Sequence, residues 1–390
     1  MASRIEARVN PALLVWARET AGFSAGVAAD RLKFPVDRLE AWERGDVRPS
    51  LSQLRKVAQL YKRPLAVFYL PRPPAAEEPV HDFRRIHGQV VGRTSPDLLL
   101  AIRRCRERRE IALDLYEQLD AEPTPLDLTV SLRDDPEAVS GRIRALLDIS
   151  FEVQRGWQDQ YEAFRQWRTR LESVGALAFQ ATDVEIAEAR GFSIAERPLP
   201  AVVVNIKDSV YGRIFTLIHE FTHVLLNRGG VCDVDEGAEE DHEDVEVFCN
   251  HVAGATVVPR DLLLRSEHVA GRRGPTTWQD DVLRTLSRTF HASRETILRR
   301  LLTFNLTTAA HYRDKRRQFI SEYAQRAAQQ ADGFAPHHKV QISGAGPLFT
   351  QLVVDAFNRE RITASDVSDF LSIRVKHLPE IERDLLRRPA

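Results

Sequence analysis

The stretch Phe215-Thr-Leu-Ile-His-Glu-Phe-Thr-His-Val-Leu-Leu226 decides the reading of this chain, because it contains His219-Glu220-Phe221-Thr222-His223. Two histidines four apart on a helix project about 40° from each other, one turn apart along the axis, so both imidazoles reach one metal ion. The glutamate after the first histidine sits beside that metal without binding it. There it can take a proton from the attacking water and pass it to a leaving amine. Phe215, Leu217, Ile218, Phe221, Val224, Leu225 and Leu226 surround the polar trio with apolar residues, and Gly229-Gly230 end the segment. Those flanks specify a buried helix rather than a surface helix carrying two solvated histidines. The expectation is one zinc ion per chain, with His219 and His223 as ligands and Glu220 as general base.

A third ligand must come from farther along. Nine acidic residues crowd into 233–246 without a Lys or Arg, so composition alone does not choose among them. Helical spacing narrows the field: Glu246, Asn250, Ala253 and Val257 fall on one face of a helix expected from about Glu243 to Pro259. Ala253, Gly254 and Ala255 are small enough to let that helix pack closely on the metal helix. Glu246 is the best single candidate, with Glu243 and Glu239 behind it. The acidic run from Val231 to Asp244 reads as a charged, glycine-bounded cover near the site. Ala176–Phe179 and Ala201–Ile206 read as strands, and the second is expected to hold an extended peptide over the metal.

At 390 residues the chain has room for two or three domains. Its net charge of −1 means that any basic patch must be local. No signal peptide precedes the first amphipathic segment and no apolar run approaches membrane-spanning length, so a cytoplasmic protein without a membrane partner is expected. Cys105, Cys232 and Cys249 are far apart and odd in number, which fits a reducing compartment.

The first seventy-five residues carry local charge: 13 Lys and Arg against 7 Asp and Glu, a net of +6. Asn10-Pro11 opens a helix that Gly22 ends, Ser24 caps a second helix through Leu32, Pro35 begins a third closed by Gly45, and Pro49-Ser50 begins a fourth. Two short helices joined by a tight turn inside a small bundle form a helix-turn-helix. Lys33, Arg38, Arg44, Arg48 and Arg55 are the candidates to neutralise phosphates of double-stranded DNA. Dimerisation, left open, would place two recognition helices about 34 Å apart.

Pro71–Pro79 reads as a stiff spacer. Residues 95–120 form an expected long helix whose basic run, Ala101–Arg109, is taken as a solvated face. Residues 136–172 look helical, with Trp157, Tyr161, Phe164 and Trp167 as a core stripe. Residues 281–304 resemble another helix pair turning at Ser293, and 347–386 give two or three more helices. The expected domains are residues 1–75 for DNA binding, 76–150 as spacer and helical linker, 151–305 as metallopeptidase, and 306–390 as a C-terminal helical region. The fold class is mainly α (α+β), with a four- to five-helix bundle first and a zincin-like domain carrying a small β-sheet second.

Trp42-Glu-Arg-Gly45, followed by Pro49-Ser-Leu51 and Leu54-Arg-Lys-Val-Ala58, resembles the XRE (Cro/repressor-like) helix-turn-helix family. That resemblance implies that the helix from Pro35 to Trp42 lies in the major groove. This chain departs from the family's usual Gln, Ser or Thr there and offers Val36, Asp37, Arg38 and Glu40. Asn205, then Arg213–His223, then Glu246-Val-Phe-Cys-Asn-His-Val-Ala253 and Val258-Pro259, resemble the ImmA/IrrE metallo-endopeptidases. The resemblance implies zinc on His219, His223 and Glu246, a gluzincin-like set, with Glu220 as general base. It also implies a protein substrate, a repressor or related regulator whose cleavage switches genes on in a stress or mobile-element response. The alternative is a DNA-binding, antitoxin-like regulator whose zinc site is structural or sensory.

Overall fold

A computed structural model describes residues 6–74, 95–227, 239–329 and 336–386. The latter part of the proline-rich spacer, Gly229-Gly230, Cys232 and the acidic run up to residue 238 lie outside the described residues. The chain divides into two compact units that meet in sequence between Arg104 and Cys105.

In the first unit, α1 (Pro11–Thr20), α2 (Ala25–Leu32), α3 (Val36–Arg44) and α4 (Leu51–Tyr61) are followed by a 3-10 turn at Leu65–Tyr69. Each start has a chemical cause. The Asn10 side chain accepts from Ala12 N, and Ser24 accepts from Val27 N. Ser50 and Gln53 form a reciprocal capping box. Lys33 adopts φ 57°, the left-handed residue that ends α2 and turns the chain into α3. Leu13, Leu14, Ala17, Leu39, Trp42, Leu54, Val57 and Tyr61 form the core. Arg18 clamps Glu43 with two hydrogen bonds of 2.8 and 3.0 Å, tying α1 to α3. Arg103, at the start of α5 (Pro96–Gln118), donates to the carbonyls of Thr20 and Tyr61.

The second unit continues with α6 (Pro136–Leu146), α7 (Phe151–Gly156), α8 (Gln160–Ser173), β1 (Leu177–Ala181), β2 (Gly191–Ile194), β3 (Ala201–Asn205), α9 (Val210–Leu225) and α10 (Glu239–Val257). Then come α11 (Arg260–Arg265), α12 (Asp280–Phe290), α13 (Arg294–Thr303), α14 (Ala309–Gln329), α15 (His337–Ala345), α16 (Pro347–Asn358), α17 (Ala364–Leu371) and α18 (Leu378–Leu386). The fold is mainly α with one small sheet, as the sequence specified. The sheet order is β1-β3-β2, with β3 parallel to β1 and antiparallel to β2.

That order overturns one expectation. The Ala201–Asn205 strand is central and spends its backbone bonds on both neighbours, so it has no edge to offer a peptide. β2, which the sequence reading missed, is only four residues long and too short for alternation to register. The basic run of α5 departs from a solvated face as well. Arg109 is buried and donates to the carbonyls of Leu199, Glu196 and Pro198, while Arg108 donates to Gly344. In the aromatic stripe Trp157, Phe164 and Trp167 are buried, but Tyr161 points out at 56 % exposure. The helix pair α12–α13 spends Leu283, Leu286, Phe290, Ile297, Leu298 and Leu301 on the same core as α9. Each such side chain contributes roughly 1.5–3 kcal/mol on burial.

A charged clamp holds α10 in place. Glu137 on α6 accepts from Arg300 on α13 at 2.7 and 2.8 Å and lies 2.9 Å from His251 Nε2 on α10. Burial pushes the Glu137 carboxyl up, yet His251 and Arg300 overcome this and hold it at about 2, against an ordinary 4.5. A depressed carboxyl stabilises the fold fully above 4.5, and that contribution is lost as pH falls towards 2. Glu137→Gln is therefore expected to cost about 2–3 kcal/mol at neutral pH, allowing for partial exposure. The variant should also lose much of its acid-dependent melting. Identical melting curves for both proteins from neutral pH down to acid would remove the clamp from the account.

Candidate metal and peptidase site

α9 starts where Ser209 accepts from Gly212 N at 3.0 Å. A Cβ at Gly212 would meet the Asp208 carboxylate at 2.5 Å, so a larger residue there would push that side chain aside. From Thr216 to Leu225 every residue of the helix is buried. The apolar flanks thus place the polar trio inside the protein: His219 and His223 are 0 % exposed and Glu220 is 4 %. Buried polar groups are costly unless something compensates them, so this trio needs a partner with matching chemistry.

The two Nε2 atoms lie 3.1 Å apart. Glu246, from the second turn of α10, brings Oε1 to 3.1 Å from His223 Nε2 and Oε2 to 3.5 Å from His219 Nε2. These three donors converge from two helices that pack on each other. Three ligands at zinc distances of about 2.0–2.1 Å and tetrahedral angles would be spaced about 3.3–3.5 Å apart, so the observed separations fit one zinc-sized cation. The electrostatics agree. Burial alone would raise the Glu246 carboxyl, but its hydrogen bonds with His219 and His223 hold it at about 2. For His223 burial opposes the charge, yet Cys249, Glu246 and Glu220 together push it well above its ordinary value. The surroundings therefore favour a positive charge at this point.

Of the other carboxylate candidates, Glu243 is exposed and the Glu239 side chain lies outside the described residues. Cys249, one turn after Glu246, lies beside His223. Burial pushes its thiol up, which keeps it protonated and a poor ligand. Among the described residues it does not join the converging donor group. The sequence reading gave this cysteine no place; its spacing from Glu246 is the signal that could have done so.

Glu220 stands outside the donor trio. Ser193 Oγ on β2 donates to Glu220 Oε2 at 3.1 Å. Gly191, two residues earlier, has no room for a side chain: a Cβ would lie 2.5 Å from Thr216 Cγ2 and 2.7 Å from the Val203 carbonyl. That close approach packs β2 directly on α9, so the outer strand of the sheet runs beside Glu220. Asn205, the last residue of β3, holds the connection between β1 and β2 by donating to the carbonyls of Val184 and Ala189 at 3.0 and 2.9 Å. Gln180 of β1 accepts from Arg213 of α9 at 2.8 Å.

In the first unit Lys33, Arg38, Arg44, Arg48 and Arg55 are all exposed. Arg44 is engaged locally, 2.9 Å from Asp46 and 3.6 Å from Glu40, which spends part of its charge before any phosphate arrives.

Residues 178–302 match the family model of the IrrE N-terminal-like domain, and residues 12–67 match that of a helix-turn-helix domain. No curated protein matches the chain. A helix-turn-helix module and an ImmA/IrrE-type, metallopeptidase-like domain are thus combined in one chain, in the order that the two sequence resemblances implied. Among the described residues no helix is long and apolar enough to cross a membrane.

Proposed function

We propose that this protein is a zinc endopeptidase coupled to a DNA-binding module, cleaving a specific repressor or related regulator to control transcription. The observation that carries the reading is the convergence of His219, His223 and Glu246 with a separate glutamate, Glu220, beside them. A structural zinc site fills all four positions with protein donors, whereas a catalytic one leaves a position for water or substrate. A structural site also has no use for Glu220.

His219 and His223 as neutral imidazoles and Glu246 as a carboxylate would hold the metal. Zinc supplies Lewis-acid polarisation of the scissile carbonyl and of the attacking water. Glu220 accepts the proton of that water as its oxygen bonds to the carbonyl carbon. It returns the proton to the amide nitrogen as the C–N bond breaks, leaving a carboxyl and an amine. Ser193 fixes the rotamer of Glu220 through the Oε2 that is not needed for the water. Among the described residues β2 pairs only with β3, so its outer edge is the one that would hold the substrate extended.

A comparison of newly generated N-termini in cells carrying the wild type or Glu220→Gln tests this reading. One or a few cleaved DNA-binding proteins are expected with the wild type alone. Identical sets of termini in the two strains would end the peptidase proposal.

The DNA arm has its own prediction. With Arg44 occupied, Lys33, Arg38, Arg48 and Arg55 give about four phosphate contacts per module, so log affinity should fall with log salt at a slope of about −3 to −4. Asp37 and Glu40 face the same phosphates and weaken binding. Arg38→Glu should flatten the slope in a salt titration of duplex binding. A slope near zero for the wild type would make the module a protein-binding device.

A further inference from the structure

A second group of metal-type donors lies far along the chain from the HExxH helix, within the second unit. His338 sits in the first turn of α15, His377 in the 3-10 turn Val375–His377, and Glu380 at the start of α18. One donor atom from each lies within 4.8 Å of the others. His377 and Glu380 are three apart on continuous helical turns, which puts them on one face. The two imidazole rings stack with centroids 4.1 Å apart and planes 11° from parallel.

Two features separate this group from an ordinary surface ion pair. His338 is only 15 % exposed, and its buried Nε2 lies 3.2 Å from Glu380 Oε2. The carboxylate is also split in its duties: Lys339 Nζ takes Oε1 at 3.3 Å, leaving Oε2 turned towards the imidazoles. A buried imidazole nitrogen, a second imidazole and one carboxylate oxygen are the donors that borderline divalent cations take.

We propose that His338, His377 and Glu380 form a second metal site, for a divalent cation of the zinc and cobalt class, that staples α15 to α18. Coordination would open the stacked rings by rotation about their side-chain bonds. The staple would fix the N-terminal end of α15. Its C-terminal end is already bonded to the sheet, where Ser343 O accepts from Gln180 Nε2 at 2.9 Å and from Arg168 Nη1 at 2.7 Å. Gln180 in turn accepts from Arg213 on α9. Metal occupancy at this second site would therefore stiffen the helix that covers β1, next to the peptidase scaffold.

The test uses the full chain with Co2+ and Zn2+ as probes. Wild type should bind two equivalents, and the His219→Ala/His223→Ala chain should keep one. Adding His377→Ala or Glu380→Gln to that chain should remove the last equivalent. The melting temperature of the His219→Ala/His223→Ala chain should rise on adding Zn2+, and that rise should vanish with His377→Ala. If the doubly substituted chain does not fold, the comparison is made on folded proteins: wild type with two equivalents against His377→Ala with one. Wild type binding a single equivalent, which the His219→Ala/His223→Ala chain loses, overturns the proposal. So does a second equivalent that His377→Ala and Glu380→Gln leave in place. Neither result bears on the peptidase reading, which rests on α9 and α10.

Discussion

Glu220→Gln is expected to lower peptide-bond cleavage by about 100- to 10,000-fold, the usual worth of a positioned general base. The glutamine keeps the shape and can still accept from Ser193, so the helix should not move. It cannot take a proton, which is the one property that the proposed chemistry requires of this position. Zinc content should stay at the wild-type value, because Glu220 is not among the converging donors. Ser193→Ala makes a graded control: it frees the glutamate to rotate but leaves the base, at a cost of about tenfold. The measurement is kcat/KM on the cleaved partner, with metal content determined on the same samples. Cleavage by Glu220→Gln at the wild-type rate would assign the base to another residue.

The HExxH helix was legible because three signals coincide on it. The i,i+4 histidines set the direction of the ligands, the intervening glutamate sets the chemistry, and the apolar flanks set the burial. Glu246 was legible only as the best of several acids. What singles it out is the packing of α10 on α9, which the small residues Ala253 and Gly254 permit but which no local pattern specifies. The N-terminal bundle was readable almost residue by residue, since its boundaries rest on local chemistry: Asn10, Ser24 and Ser50 cap their helices with their own side chains.

What the sequence did not yield is tertiary. β2 is four residues long, and strand order depends on partners rather than on propensity, so the edge strand was placed on Ala201–Ile206 instead. Arginines 103, 108 and 109 read as a wet basic face because charge is what the sequence displays. Their acceptors are backbone carbonyls at a distance of 40 to more than 200 residues along the chain, which no periodicity reveals. Glu137 is a similar case. It sits in a segment assigned to a linker, and only the fold brings Arg300 and His251 to it.

His219→Ala is expected to abolish zinc binding at the α9–α10 site at micromolar metal. It removes one of three donors and leaves an imidazole and a carboxylate, too few to hold the ion. The choice of third ligand can be read separately: Glu246→Gln should weaken affinity by well over the 10- to 100-fold typical of supporting residues, and Glu243→Gln should leave it unchanged. Acidification offers a further discrimination. An ordinary imidazole titrates about two units above an ordinary carboxyl, so protons displace the metal through the two imidazoles first. Zinc release should therefore begin as pH drops into the range where histidine titrates, well above the range of carboxylates. All of these titrations are made on chains that also carry His377→Ala, so that only the imidazoles of α9 are counted. Stoichiometric zinc retained by His219→Ala in that background would refute the donor assignment. Release only below the ordinary carboxylate range would instead move the ion from the histidines to the acidic residues around them.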